Sequence, residues 1–178
     1  MKSIVTVPNN VLVSPANPVP NINSKIKEMI NQMRTCLEEA QNPQGVGLAA
    51  AQIGLPWRIF LMWPNNKETI RVIINPEYVN KSSNLVKGIT DNRLEGCLSV
   101  PHVWGAVERH TRVTISYLDD LGQKQQNTFS GFPAIIVQHE MDHLDGILFT
   151  RRVIEQKGTL YKPGVDDLGK EVLEPIEI

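Results

Sequence analysis

The segment His139-Glu140-Met141-Asp142-His143 constrains this chain more than any other part of it. It follows an apolar run, Ala134-Ile135-Ile136-Val137, that Ser130-Gly131 and Pro133 introduce and that Gly146 follows at a spacing suited to a helix stop. Proline fits a first helical turn and glycine fits the position past the last, so the pattern predicts a helix. Residues four apart on a helix lie about 40° from each other around its axis. Both imidazoles can therefore reach one metal ion, with Glu140 beside the ion and free of the duty to bind it.

The rest of the chain supplies what such a helix packs against. At 178 residues and 41% hydrophobic content, the length suits one core and one catalytic domain over 1–178. Pro8, Pro15, Pro18 and Pro20 make 1–21 an extended entry segment. From Ser24, read as an N-cap, Ile26, Met29, Ile30, Met33 and Leu37 recur at helical spacing until Asn42-Pro43. The methionines and Cys36 of this amphipathic helix read as core filler. Strand-like runs follow at 58–63 and 70–75, then 112–118 facing 123–129 across Asp119-Asp120-Leu121-Gly122, a hairpin turn. The expected class is α+β, with mostly antiparallel sheets packed around the central helix that carries the histidines. In the variable tail over 153–178, interrupted by Pro163, Gly164 and Pro175, only 172–178 reads as an edge strand.

Charge and cysteine content narrow the setting. A net charge of −1 gives no basic excess for nucleic acid or anionic lipid. No window has the length of a membrane span, and the opening MKSIVTVPNN has no long apolar stretch behind it, so neither secretion nor insertion is expected. Two cysteines, Cys36 and Cys97, are too few for a disulfide framework and suit a reducing compartment. The expected location is the cytoplasm.

A bound metal lowers the pKa of water from about 15.7 toward about 7, and a neighbouring carboxylate can take that proton and return it to a leaving amine. A catalytic site of this kind usually has three protein ligands and one open position. The residues leave the third ligand open between Glu155, Glu171, Glu174 and Cys97. Of these, Cys97 stands in Glu95-Gly96-Cys97-Leu98-Ser99-Val100-Pro101, a sequence suited to a fixed loop presenting a thiolate. Gly45-Val46-Gly47-Leu48-Ala49-Ala50-Ala51-Gln52 lacks the third glycine of a dinucleotide loop. Its small residues permit close approach of a substrate backbone, and Gln52 can aim an amide donor at a carbonyl. By itself it also reads as a tight loop. His102 and His110 fall outside the metal spacing and suit surface or supporting roles.

Together the three segments, in this order, resemble the three motifs of the peptide deformylases, and the likeness runs over 5–152. The resemblance implies that Cys97, His139 and His143 hold one divalent metal ion, ferrous iron in the usual case and zinc, nickel or cobalt otherwise. It implies that metal-bound water attacks the formyl carbon with Glu140 as general base and acid, while Gln52 and the Leu98 backbone N–H stabilise the oxyanion. The substrate it implies is the amino-terminal formylmethionine of newly made chains, released as formate. Ile135 and Ile136, one turn before His139, with Val46, can then line a methionine pocket, although both isoleucines equally suit the core. Gly45 and Gly47 would let the peptide align as an added strand.

Three features depart from the family pattern. Trp104 stands where many members have Arg, while Arg109 matches a basic position. Leu12-Val13 replaces a common Leu-Arg pair. The resemblance also raises transient ribosome contact, which an acidic tail broken by Pro and Gly does not support. Two other readings stay open: a zinc endopeptidase with a tail carboxylate in place of Cys97, and a noncatalytic peptide binder.

Overall fold

The computed structural model describes residues 3–40, 44–65, 69–87, 94–167 and 169–177. The class is α+β, as the patterning predicts, with every paired strand antiparallel. One sheet takes β1 (Gly47–Ala49), β2 (Ile59–Met62), β3 (Arg71–Lys81), β8 (Arg112–Leu118) and β9 (Lys124–Ser130) in that spatial order. A helix covers each of its faces. Ile59 and Leu61 of β2 join Met29, Ile30, Met33 and Leu37 of α1 (Ser24–Glu39), while Phe60 and Met62 join Ile136, Val137 and Met141 of α2 (Phe132–Leu144). Burial on both faces is why β2 reads as an unbroken apolar run and not as an alternation.

The cap of α1 lies one residue earlier than expected. Asn23 has extended backbone and its Oδ1 accepts from the Ile26 N–H at 3.1 Å, so Ser24 becomes the first helical residue. The expected stop at Asn42-Pro43 lies outside the described residues. The β8–β9 turn forms as expected: Asp119 Oδ1 accepts from the N–H groups of Leu121 and Gln123, and Gly122 takes φ +78°.

The entry segment is packed down onto α2. Leu12 is fully buried, and the Ala16 N–H donates to the Leu144 carbonyl at the last turn of α2. Gly146 has φ +71°, and a Cβ there would lie 2.8 Å from the backbone of Val13 and Ser14. Glycine is required twice over, by the left-handed conformation and by the crossing chain.

A second sheet orders β11 (Glu171–Pro175), β10 (Leu160–Val165), β6 (Val100–Gly105) and β5 (Glu95–Cys97), and β4 (Leu85–Lys87) pairs with β7 (Glu108–His110). The tail therefore forms two strands, where the sequence reading expected at most one. Pro163 and Gly164 lie inside β10, and β10 meets β6 only at Leu160 and Tyr161. Past that point only β11 pairs with β10, and a proline without an N–H is tolerated beside an open edge. The short helix α3 (Phe149–Glu155), also unexpected, buries Phe149 and Val153 against Val100, Val107 and Leu160. No helix among the described residues is long and apolar enough to cross a membrane.

Candidate active site

Two elements meet to make the site. α2 presents His139, Glu140 and His143, and the end of β5 presents Cys97. One ligand atom from each of Cys97, His139 and His143 lies within 4.8 Å of the other two, the one such group among the described residues. Cys97 Sγ is 3.2 Å from His143 Nε2. His139 Nδ1 lies 2.8 Å from Glu95 Oε2, which favours a proton on Nδ1 and leaves Nε2 as the electron-pair donor. The rings of His139 and His143 meet edge to face at 5.1 Å, and Phe149 stacks on His139. One thiolate and two imidazoles suit zinc, iron, nickel or cobalt, and the set leaves room for water as a fourth ligand. Glu155, an alternative third ligand in the sequence, instead pairs with Arg151 and Arg152.

Behind the ligands runs a buried ionic chain that motif spacing did not reveal. Arg109 Nε and Nη2 donate to the two Glu95 carboxylate oxygens at 2.7 and 2.9 Å, and its Nη1 donates to Asp142 Oδ2 at 2.6 Å. Arg152 closes on the other side of Asp142. Glu95 and Asp142 lie inside the motifs already singled out, but their partner comes from β7, which sequence spacing cannot place. The available signal was the match of Arg109 to a basic family position. His110 has a supporting role, with Nδ1 2.6 Å from the Ser82 carbonyl and its backbone N–H donating to Gln138.

Burial opposes every charge here, and the neighbours outweigh it at Glu95, Cys97 and His139. Against that cost, the charge and hydrogen bonds of Arg109, then of His139, hold Glu95 down at about 2. Burial disfavours the Cys97 thiolate, yet His143 and His139 pull the thiol well below its usual range. Burial would also neutralise His139, and the adjacent Cys97 and Glu95 hold its pKa well above the ordinary value. Glu140 goes the other way: its burial lifts the carboxyl to about 7, against the pull of His139 and His143. Glu140 Oε2 and His143 Nδ1 are buried with no hydrogen-bond partner among the described residues.

The wall facing Cys97 is the glycine-rich segment, which is more ordered than a tight loop: it forms β1 and then a 3-10 turn over Ala50–Ile53. Gln52 Oε1 accepts from the Ala49 N–H at 2.8 Å, and this fixes Nε2 3.4 Å from Cys97 Sγ. Gly47 lies directly against the Glu140 carboxylate, with no space for a Cβ. The cavity in front of these groups is lined by Gly45, Val46, Gly47, Leu98, Ile135 and Ile136. Gln52, Cys97, His139 and Glu140 border the same cavity, and His143 joins it through Cys97 and His139. Ile136 both lines this cavity and packs in the core with Val137 and Met141.

Comparison with known proteins identifies the family. The polypeptide deformylase family profile matches residues 1–159. The peptide deformylase of Pelagibacter ubique is 39% identical over 152 residues, 84% of each chain. The crystal structure of the Synechococcus elongatus peptide deformylase in complex with actinonin superposes with a TM-score of 0.76 at 34% identity, covering 84% of this chain and 76% of that one. The Met-Ala-Ser-bound peptide deformylase of Acinetobacter baumannii gives 0.73 at 34% identity, covering 84% and 96%. A profile match over most of the chain, relatives above 30% identity and a shared fold carry one conclusion: the chain belongs to the polypeptide deformylase family of enzymes.

Proposed function

We propose that the chain is a metal-dependent hydrolase that removes the formyl group from the amino-terminal formylmethionine of newly made polypeptides, in the cytoplasm where they are synthesised. The observation that carries this reading is the convergence of Cys97, His139 and His143 within 4.8 Å, with Glu140 buried alongside. These three residues would hold one divalent ion, ferrous iron as the expected occupant, with zinc, nickel and cobalt also suited to the donor set. Such an ion, when bound, supplies Lewis acidity and makes water a stronger acid near neutral pH.

The chain's own groups do the rest. Glu140 takes a proton from the attacking water as the new C–O bond forms at the formyl carbon. It returns that proton to the amine nitrogen as the C–N bond breaks, so formate and a free amino terminus leave. Gln52 Nε2 and the Leu98 N–H donate to the carbonyl oxygen as it gains charge. Gly45 and Gly47 border the path of the peptide backbone, and Val46, Ile135 and Ile136 hold the methionine side chain. The Acinetobacter baumannii structure holds Met-Ala-Ser, a tripeptide with the composition of such a product.

Formate release from formyl-Met-Ala-Ser by iron- or nickel-loaded protein tests the reading. Gln52→Leu is expected to lower kcat about 10²- to 10³-fold with little change in KM, because its donor acts on charge present mainly in the transition state. A loss confined to KM would remove Gln52 from the oxyanion role.

A further inference from the structure

The site has a wall that neither the metal cluster nor the methionine pocket uses. Trp104 lines the same cavity as Cys97 and Glu140, although it comes from β6. Its cross-strand partner is Gly96, the neighbour of Cys97. A Cβ on Gly96 would meet the Trp104 indole at 3.1 Å, so the ring lies across bare backbone beside the metal ligand. On its other side Trp104 is paired with Tyr161 of β10. Directly opposed residues in an antiparallel sheet share a face, so Gly96, Trp104 and Tyr161 form one row on the face that borders the cavity. The opposite face takes Leu160 into the small core with Val100 and Val153.

Tyr161 lies beyond residue 159, where the family profile ends. The row is completed by the carboxy-terminal hairpin of β10 and β11. Around it the cavity is apolar, with Val86, Leu94, Val107 and Phe132, the last 41% exposed at the mouth. Among the described lining residues there is no Lys or Arg, and the carboxylate of Glu95 is taken up by Arg109. An acidic side chain entering here would lose water and meet no Lys or Arg, and a basic one would meet only Glu140 and Cys97, which the metal site and its chemistry already use.

Resting on the deformylase reading, we propose that Trp104 is a specificity-determining residue that selects a bulky apolar side chain in the two residues after formylmethionine, with Tyr161 positioning the indole. An extended peptide held along Gly45 and Gly47 offers side chains at alternate positions to one wall, and a flat indole stacks on aromatic and branched aliphatic groups. The expected discrimination is about tenfold, the size that one apolar contact gives an enzyme.

The test uses metal-loaded protein and two peptide series, formyl-Met-X-Ser and formyl-Met-Ala-X, with X as Ala, Leu, Phe, Lys or Glu. Formate release gives kcat and KM for the native chain, Trp104→Phe, Trp104→Ala and Tyr161→Ala. Calorimetric binding of Met-Phe-Ser against Met-Ala-Ser supplies a reading independent of turnover. The expected result is about a tenfold preference for Phe or Leu over Ala, Lys and Glu in at least one series, mirrored in product affinity. Trp104→Phe should keep most of it, Tyr161→Ala should weaken it, and Trp104→Ala should reduce it to within about twofold. Release of formate with no apolar preference in the native chain, or with Lys or Glu preferred, overturns this inference alone. So does a preference that Trp104→Ala leaves intact. No formate from any peptide by metal-replete protein overturns the deformylase reading itself. If Trp104→Ala does not fold, the native preference and the Tyr161→Ala ratio decide.

Discussion

Glu140→Gln is expected to bind its metal normally and to lose about 10²- to 10⁴-fold in kcat, the range a positioned acid–base group contributes. The substitution keeps the shape of a side chain that is 3% exposed and pressed against Gly47, so folding should survive. What it removes is the capacity to accept and return a proton. Metal content by elemental analysis, measured beside the turnover rate, separates the two effects. A variant with full metal and native turnover would remove Glu140 from the mechanism; one that lost its metal would make it a structural or ligating group.

The second large effect is on stability. Arg109→Met should destabilise the fold by about 3–5 kcal/mol, the usual cost of removing one partner from a buried ionic network. Arg109 is 5% exposed and joins Glu95 to Asp142, so its loss leaves Glu95 with His139 as its one ionic partner and Asp142 with Arg152, both carboxylates still buried. Because Glu95 also holds His139 Nδ1, metal affinity should fall as well, by about 10- to 100-fold. Urea unfolding of the metal-loaded protein and a competitive chelator titration measure the two effects. A stability change below about 1 kcal/mol would mean that water or rearrangement satisfies both acids, and that the network does not hold the ligands in place.

How much of this could be read from the chain depends on the range of each interaction. His139, Glu140 and His143 were legible because helical spacing alone brings them together. β2 and the β8–β9 hairpin were legible for the same local reason: their runs and turn residues carry their own signals. Cys97 was one candidate among several until its motif was set beside the other two, since β5 and α2 meet only through the fold. Arg109 is 33 positions from Asp142 and 14 from Glu95, and no periodicity announces such a contact. Of the tail hairpin only the second strand was foreseen: Pro163 and Gly164 argue against β10 locally, while pairing with β11 overrides them. Gln52 was identified, but the Ala49 N–H that fixes its amide was visible only in the folded backbone.

The most direct test of the whole account is formate release from formyl-Met-Ala-Ser by protein purified without oxygen and loaded with ferrous iron or nickel, with Glu140→Gln assayed in parallel. Stoichiometric formate and free Met-Ala-Ser are expected from the native chain, and almost none from the variant at equal metal content. Metal-replete native protein that releases no formate, or a variant that releases it at the native rate, would contradict it.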